Sequence, residues 1–209
     1  MKRIIDVTTW NRKEHFEFFR NFEEPFFGIV AEVDCTAAYK KSKEICESFF
    51  LYYLHKSISA ANQIEEFRYR LEGDVLVCYD TINPSSTIGR PDGTFGYSFI
   101  EFRRDFKDFV EIAEIEIKAV QNSKGLRLNY NGMRTDVIHY SSIPWVKFTG
   151  LTHARSFRMN DSVPKISFGK LYDVDNKKMM PVAVNVHHGL ADGLHVGKYF
   201  ELFQELLNS

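Results

Sequence analysis

The 209 residues are enough for one sizeable domain with a full core, and 44% apolar content with 19 Phe and 10 Tyr describes an aromatic-rich globular protein. A net charge of −1 leaves no basic surface for nucleic acid or an anionic membrane, and no apolar run is long enough to cross a bilayer. One domain over residues 1–209 is expected, with a surplus of large rings for a subunit interface or an aromatic-lined pocket.

Met1 to Asp6 lacks a signal-peptide core, and Cys35, Cys46 and Cys78 have no framework spacing. Free thiols in a reducing, cytoplasmic setting are expected. Residues 3–9 read as a short strand. The run from Trp10 to Glu14 opens a helix, with Asn11 as N-cap and Glu14 three residues on. Phe16, Phe18, Phe19 and Phe22 give it an aromatic stripe, read mainly as core packing. Arg12 stands at the helix start, where the dipole disfavours a cation, so it has either a specific partner or a solvated place.

Residues 25–34 read as a strand. Thr36 reads as the cap of one long helix reaching about residue 62, with Ala37, Ala38, Ile45, Phe49, Tyr52, Tyr53, Ile58 and Ala61 on its apolar face. Residues 67–71 and 75–79 flank Glu72-Gly73-Asp74 as a hairpin. Residues 81–94, rich in Asn, Pro, Ser, Gly and Asp, read as a long loop. A strand over 95–100 precedes a charged amphipathic helix over 105–121, with Phe106, Phe109, Val110, Ile112 and Ile115 inward. Residues 122–136 read as loop and 137–142 as a strand entering Ile143-Pro144-Trp145. The strand pattern resumes over 146–149, and 150–162 is mostly loop. A strand over 165–171 and a turn over 173–178 lead to the last strand. Strands alternate with helices, but the hairpins require mixed pairing. The expected fold is α/β of the α+β type, a mixed β-sheet covered by helices.

The last strand is the β-branched run Val182, Val184, Val186, and it stops at His187-His188. Gly189 and Gly193 bracket a short turn, a path that side chains would obstruct. A helical pattern then carries Leu194, Val196, Phe200, Leu202, Phe203 and Leu206. Histidine is the side chain most easily set as a neutral base near neutral pH, and a strand end holds its backbone while the ring faces a cleft. Asp192, four residues past His188, orients that ring or ties the turn to another partner. A metal held by His187 and His188 with Asp192 or His195 is the bland rival, disfavoured because the segment has no cysteine and no HExxH pair.

Four segments together carry a resemblance. Trp10-Asn11-Arg12-Lys13-Glu14-His15-Phe16-Glu17 resembles the WxRxEHFE-type segment of type A chloramphenicol acetyltransferases. Tyr140-Ser141-Ser142-Ile143-Pro144-Trp145-Val146-Lys147-Phe148 resembles their Ser-x-x-Pro-Trp-x-x-Phe segment. Pro164 to Lys170 resembles a strand that carries Thr where this chain has Ser167. Val186 to Val196 resembles the HHxxxDGxHV signature, a version of which dihydrolipoyl acyltransferases share.

The resemblance implies a two-layer CoA-dependent acyltransferase fold and transfer of acetyl from acetyl-CoA to the primary hydroxyl of chloramphenicol, through a ternary complex and without a metal. It implies His188 as general base, His187 as structural, and Ser141 as oxyanion donor, with Ser142 as its rival. A triad reading of Asp192 gives way to an ion pair with Arg12, and Ser167 stands for a water-positioning threonine. The acceptor pocket maps to Phe18, Phe19, Phe27, Phe95, Leu151 and His153, and the CoA channel to Trp145 and Lys170. Phe19 and His153 depart from the residues usual there, tyrosine and leucine, so the acceptor stays open. A homotrimer with active sites between subunits is implied. An O-acetyltransferase for another hydroxylated molecule, or a non-catalytic binding module of the same fold, are the alternatives.

Overall fold

The computed structural model describes residues 1–128, 134–154 and 161–209. The expected loops over 122–136 and 150–162 fall partly outside them. The strands are β1 (Lys2–Ile4), β2 (Phe26–Asp34), β3 (Tyr69–Glu72), β4 (Val75–Tyr79), β5 (Asn83–Gly89), β6 (Phe95–Tyr97), β7 (Val137–Ser142), β8 (Lys165–Phe168), β9 (Tyr172–Val174) and β10 (Lys177–His187). The α-helices are α1 (Lys13–Phe19), α2 (Thr36–Glu44), α3 (Phe49–Asn62), α4 (Phe106–Gln121) and α5 (Gly193–Leu207). The large sheet runs β2-β10-β8-β7-β5-β6, with β9 paired to β10. Only β7 pairs in parallel, to β5 and β8, so the sheet is mixed. A small antiparallel sheet, β1-β4-β3, stands beside it.

Alternation along the strands builds the core. Ile138, Tyr140, Ile166, Phe168, Val182, Val184 and Val186 face Leu54 and Ile58 of α3 and Val196, Tyr199 and Phe203 of α5. The intervening residues, among them His139, Ser141, Lys165, Ser167 and Asn185, project from the other face. A second cluster packs Phe16 of α1 with Tyr69, Leu71 and Leu76 of the small sheet and Leu190 of the turn after β10.

Several expectations need correction. The first strand is only Lys2–Ile4, because the Asp6 carboxylate takes the Thr8 N–H at 2.9 Å and turns the chain. Arg12, not Asn11, occupies the N-cap position of α1, and no side chain caps it. Of the expected aromatic stripe only Phe16 is buried, while Phe18 and Phe22, the latter beyond the end of α1, are exposed. The long helix is two helices: Cys46 adopts φ 56° and Ser48 starts α3 as its N-cap. Thr36 caps nothing, since its hydroxyl and N–H both bond to Asp34.

The expected loop over 81–94 holds β5, where the buried Asn83 amide is satisfied on both sides and the buried Ser86 hydroxyl makes no hydrogen bond. Asn83 donates to the Asp136 carbonyl at 3.1 Å and accepts from Phe102 N–H at 3.0 Å. The chain turns at Pro144-Trp145, so residues 146–149 do not extend β7, β6 stops at Tyr97, and β8 stops at Phe168. Ile115 and Leu194 lie on the solvent faces of their helices. The 72–74 hairpin turn, with Gly73 at φ +60°, stands as read, and α4 begins one residue later than expected, with Asp105 as its N-cap at 2.9 and 3.0 Å.

Candidate active site

His188 is one residue past the end of β10, and its backbone is fixed from two sides. Its N–H donates to the Pro25 carbonyl at 2.8 Å, and its carbonyl accepts from Arg12 Nη2 at 3.4 Å. The ring stacks on Phe19 at 4.0 Å with planes 4° apart, and Phe27 tilts against it at 4.5 Å. The side chain is half-buried, and its Nδ1 is buried without a hydrogen bond. His187 is buried, and its Nδ1 accepts the Gly189 N–H at 3.1 Å. Gly189 lets the chain pass closely here: a Cβ would sit 3.1 Å from the His187 ring and 3.3 Å from the Phe16 backbone, tighter than an ordinary contact. Gly193 meets nothing within 4 Å, so the second glycine has no such steric reason.

Arg12 Nη1 lies 2.7 Å from Asp192 Oδ2, with the guanidinium side chain 10% and the carboxylate side chain 32% exposed. Asp192 is also the N-cap of α5, accepting from Leu194 N–H at 3.0 Å, while His195 Nδ1 accepts the Asp192 N–H at 3.1 Å. Burial lifts the Asp192 carboxyl, but the Arg12 hydrogen bond and the electrostatic pull of His195 and Arg12 outweigh it and hold the group below its ordinary value. Asp192 therefore ties the turn carrying His188 to α1 and does not bond the His188 ring. Among the described residues, no group of three or more His, Cys, Asp or Glu is arranged to hold a metal ion.

Ser141 and Ser142 point to opposite faces. The Ser142 hydroxyl bonds the Tyr53 hydroxyl at 3.0 Å on the helix side, whereas Ser141 accepts from Thr87 Oγ1 at 3.5 Å on the other. Ser141 sits opposite Ser167 in register, and Ser167 opposite Ala183. Ser167 is fully buried and its hydroxyl makes no hydrogen bond. His188 lies five positions after Ala183, one past the end of β10, so strand geometry puts Ser141 roughly 15–20 Å from His188 within one chain.

The pocket candidates are spread out. Phe19 and Phe27 are at His188, while Phe18 (63% exposed) and Phe95 (43%) face solvent. Leu151 and His153 are half-buried in the segment after β7. Trp145 is 79% exposed. The Lys170 N–H bonds the Val146 carbonyl at 2.9 Å, which holds Trp145 and Lys170 close on one surface. Thr87, His139, Lys165 and Asn185 were missed. Period-two alternation through Ser141 and Ser167 marks His139 and Lys165, and Thr87 lay in the segment misread as loop.

A family model described as chloramphenicol acetyltransferase matches residues 2–204. The chain is 31% identical over 207 residues to a chloramphenicol acetyltransferase of Clostridium perfringens, covering 98% of each. It is 29% identical over 204 residues to one from Klebsiella sp, covering 96% of this chain and 91% of that one. A solved chloramphenicol acetyltransferase superposes with a TM-score of 0.93 at 34% identity, over 99% of this chain and 100% of that one. A probable dihydrolipoamide acetyltransferase from Listeria monocytogenes shares the fold, with a TM-score of 0.64 at 17% identity, over 97% and 92% of the two chains. The chain belongs to the chloramphenicol acetyltransferase family.

Proposed function

We propose that the whole chain, residues 1–209, is one catalytic domain that transfers an acetyl group from acetyl-CoA to a hydroxyl of chloramphenicol, inactivating the antibiotic. The observation that carries this is the setting of His188: a half-exposed ring stacked on Phe19, on a backbone pinned by Pro25 and Arg12. Its buried Nδ1 leaves Nε2 to take the proton of the acceptor hydroxyl as that oxygen attacks the thioester carbon. The Ser141 hydroxyl stabilises the resulting oxyanion. Collapse expels the CoA thiolate, which takes up the proton. Loss of one such donor costs roughly 2.7–4 kcal/mol of transition-state stabilisation.

Ser141 and His188 do not meet within one chain, so His188 works against Ser141 of a second copy. A homotrimer, the smallest ring beyond a dimer that such a heterologous contact closes, fits this arrangement. The exposed rings of Phe18 and Phe95 then line the acceptor pocket with Phe19, Phe27, Leu151 and His153. Trp145 and Lys170 pair a flat apolar ring with a cation, which suits the base and phosphates of acetyl-CoA. Among the described residues no helix is long and apolar enough to cross a membrane, and the reading places the enzyme in the cytoplasm, where acetyl-CoA is made.

Purified protein with acetyl-CoA and chloramphenicol is expected to release free thiol above the rate seen without acceptor. No excess release, from folded protein, would remove chloramphenicol as the acceptor.

A further inference from the structure

The face of the large sheet away from α3 carries two adjacent rows of polar side chains. One row is Ser141 and Ser167, opposed in register and ending on Ala183 of β10. The next, two residues along each strand, is His139, Lys165 and Asn185, again opposed in register and ending on Gly28 of β2. Three buried atoms in these rows make no hydrogen bond: His139 Nδ1, Ser167 Oγ and Asn185 Nδ2. Buried polar atoms left unsatisfied are rare in folded proteins, and three on adjacent rows of one face point to a ligand that completes them.

Close packing fixes the side chains of the second row. Gly28 has no side chain where Asn185 lies, and a Cβ there would come 2.5 Å from Asn185 Oδ1. Lys165 is held in place by the Asp161 carboxylate, by the Val163 carbonyl at 3.2 Å and by the Phe26 ring at 4.8 Å. Burial, and then the Lys165 charge, pull His139 down to about 4, against Asp161, so its ring is neutral at physiological pH. Lys165 is paired with the Asp161 carboxylate, and the unpartnered atoms of the rows belong to neutral groups, the His139 ring, the Ser167 hydroxyl and the Asn185 amide. Neutral hydrogen-bonding groups suit the hydroxyl and carbonyl oxygens of a neutral ligand.

We infer that His139, Lys165 and Asn185 form an acceptor subsite beside Ser141, selecting a neutral alcohol that carries several further hydroxyl or carbonyl oxygens over an apolar alcohol. The inference rests on the acyl-transfer reading and names the class of acceptor that this chain's site takes.

The test compares two neutral primary alcohols, methyl β-galactoside and 3-phenyl-1-propanol, with the full-length protein. Thiol release from acetyl-CoA gives kcat/KM for each, and calorimetry without acetyl-CoA gives binding alone. The wild type is expected to prefer the galactoside. Asn185→Ala, which removes one unpartnered donor and opens space, should lower that preference about tenfold, and His139→Phe with Lys165→Met should lower it further. Unchanged preference in every folded variant overturns the subsite, as does a wild type that favours phenylpropanol. If no acceptor releases thiol, yet the galactoside binds and Asn185→Ala weakens it, the subsite stands and the acyl-transfer reading fails. Absence of galactoside binding to the wild type, together with absence of turnover, overturns the subsite.

Discussion

His188 is placed by the point at which β10 runs out of pairing. His187 still pairs with Phe26 and is buried, while the next residue is half-exposed against Phe19 and Phe27. Replacing His188 by Ala should lower kcat about 10²- to 10⁴-fold with the melting temperature little changed, since the ring is not part of the core. Thiol release close to the wild-type rate would end the general-base assignment. The Arg12–Asp192 pair predicts a different signature. A carboxylate held below its ordinary value of 3.8 contributes stability above that value, and the contribution is lost as pH falls through the folded one. Asp192→Asn should therefore cost about 2 kcal/mol at neutral pH, less than a fully buried pair because the carboxylate is a third exposed. The gap from wild type should shrink as denaturation is repeated toward about pH 3. A gap independent of pH would mean that the cap of α5, rather than the charge pair, carries the effect.

The end of β8 is set by a close approach of backbone. A Cβ at Gly169 would lie 2.6 Å from Pro181 Cγ, 3.0 Å from the Phe148 ring and 3.1 Å from the Val146 carbonyl. None of these is the free tip of a flexible chain. Gly169→Ala should destabilise by about 1–3 kcal/mol, read as a lower denaturation midpoint, and should displace the Trp145–Lys170 surface. An unchanged midpoint would mean that this corner relaxes freely. Elements with a strong apolar period were legible in the sequence: β10, α4 and α5 stand close to where the pattern put them. β5 was not, because Asn83, Pro84, Ser85 and Ser86 read as turn residues, and only the neighbouring strands explain why they are extended and buried. The α2–α3 break was hidden too, since nothing in Ile45-Cys46-Glu47 requires the left-handed backbone that Cys46 adopts. For the site, the motif gave residue types and spacing and strand alternation sets Ser141 and Ser142 on opposite faces, but which of them faces the helices is shown by Tyr53, far away in sequence.

Across the whole molecule, the distance between Ser141 and His188 decides how the site must be assembled. The register fixes it: Ser141 is level with Ala183 through Ser167, and the imidazole lies five positions further on, just past the end of β10. No side-chain rotation closes roughly 15–20 Å, and a shift of β8 against β10 would break the pairs that bury Ile166 against Val184. The two groups therefore act on one substrate only if they come from different copies. His188→Ala and Ser141→Ala, each nearly inactive alone, should then complement when mixed. After joint unfolding and refolding at equal amounts, about a quarter of the interfaces in a closed ring pair an intact His188 with an intact Ser141. Activity should recover to about a quarter of wild type, while each variant refolded alone stays inactive. No recovery, with mixed oligomers verified by differently sized tags, would show that each chain carries its own complete site. The register would then have to differ in solution from the one that places Ser141 beside Ser167.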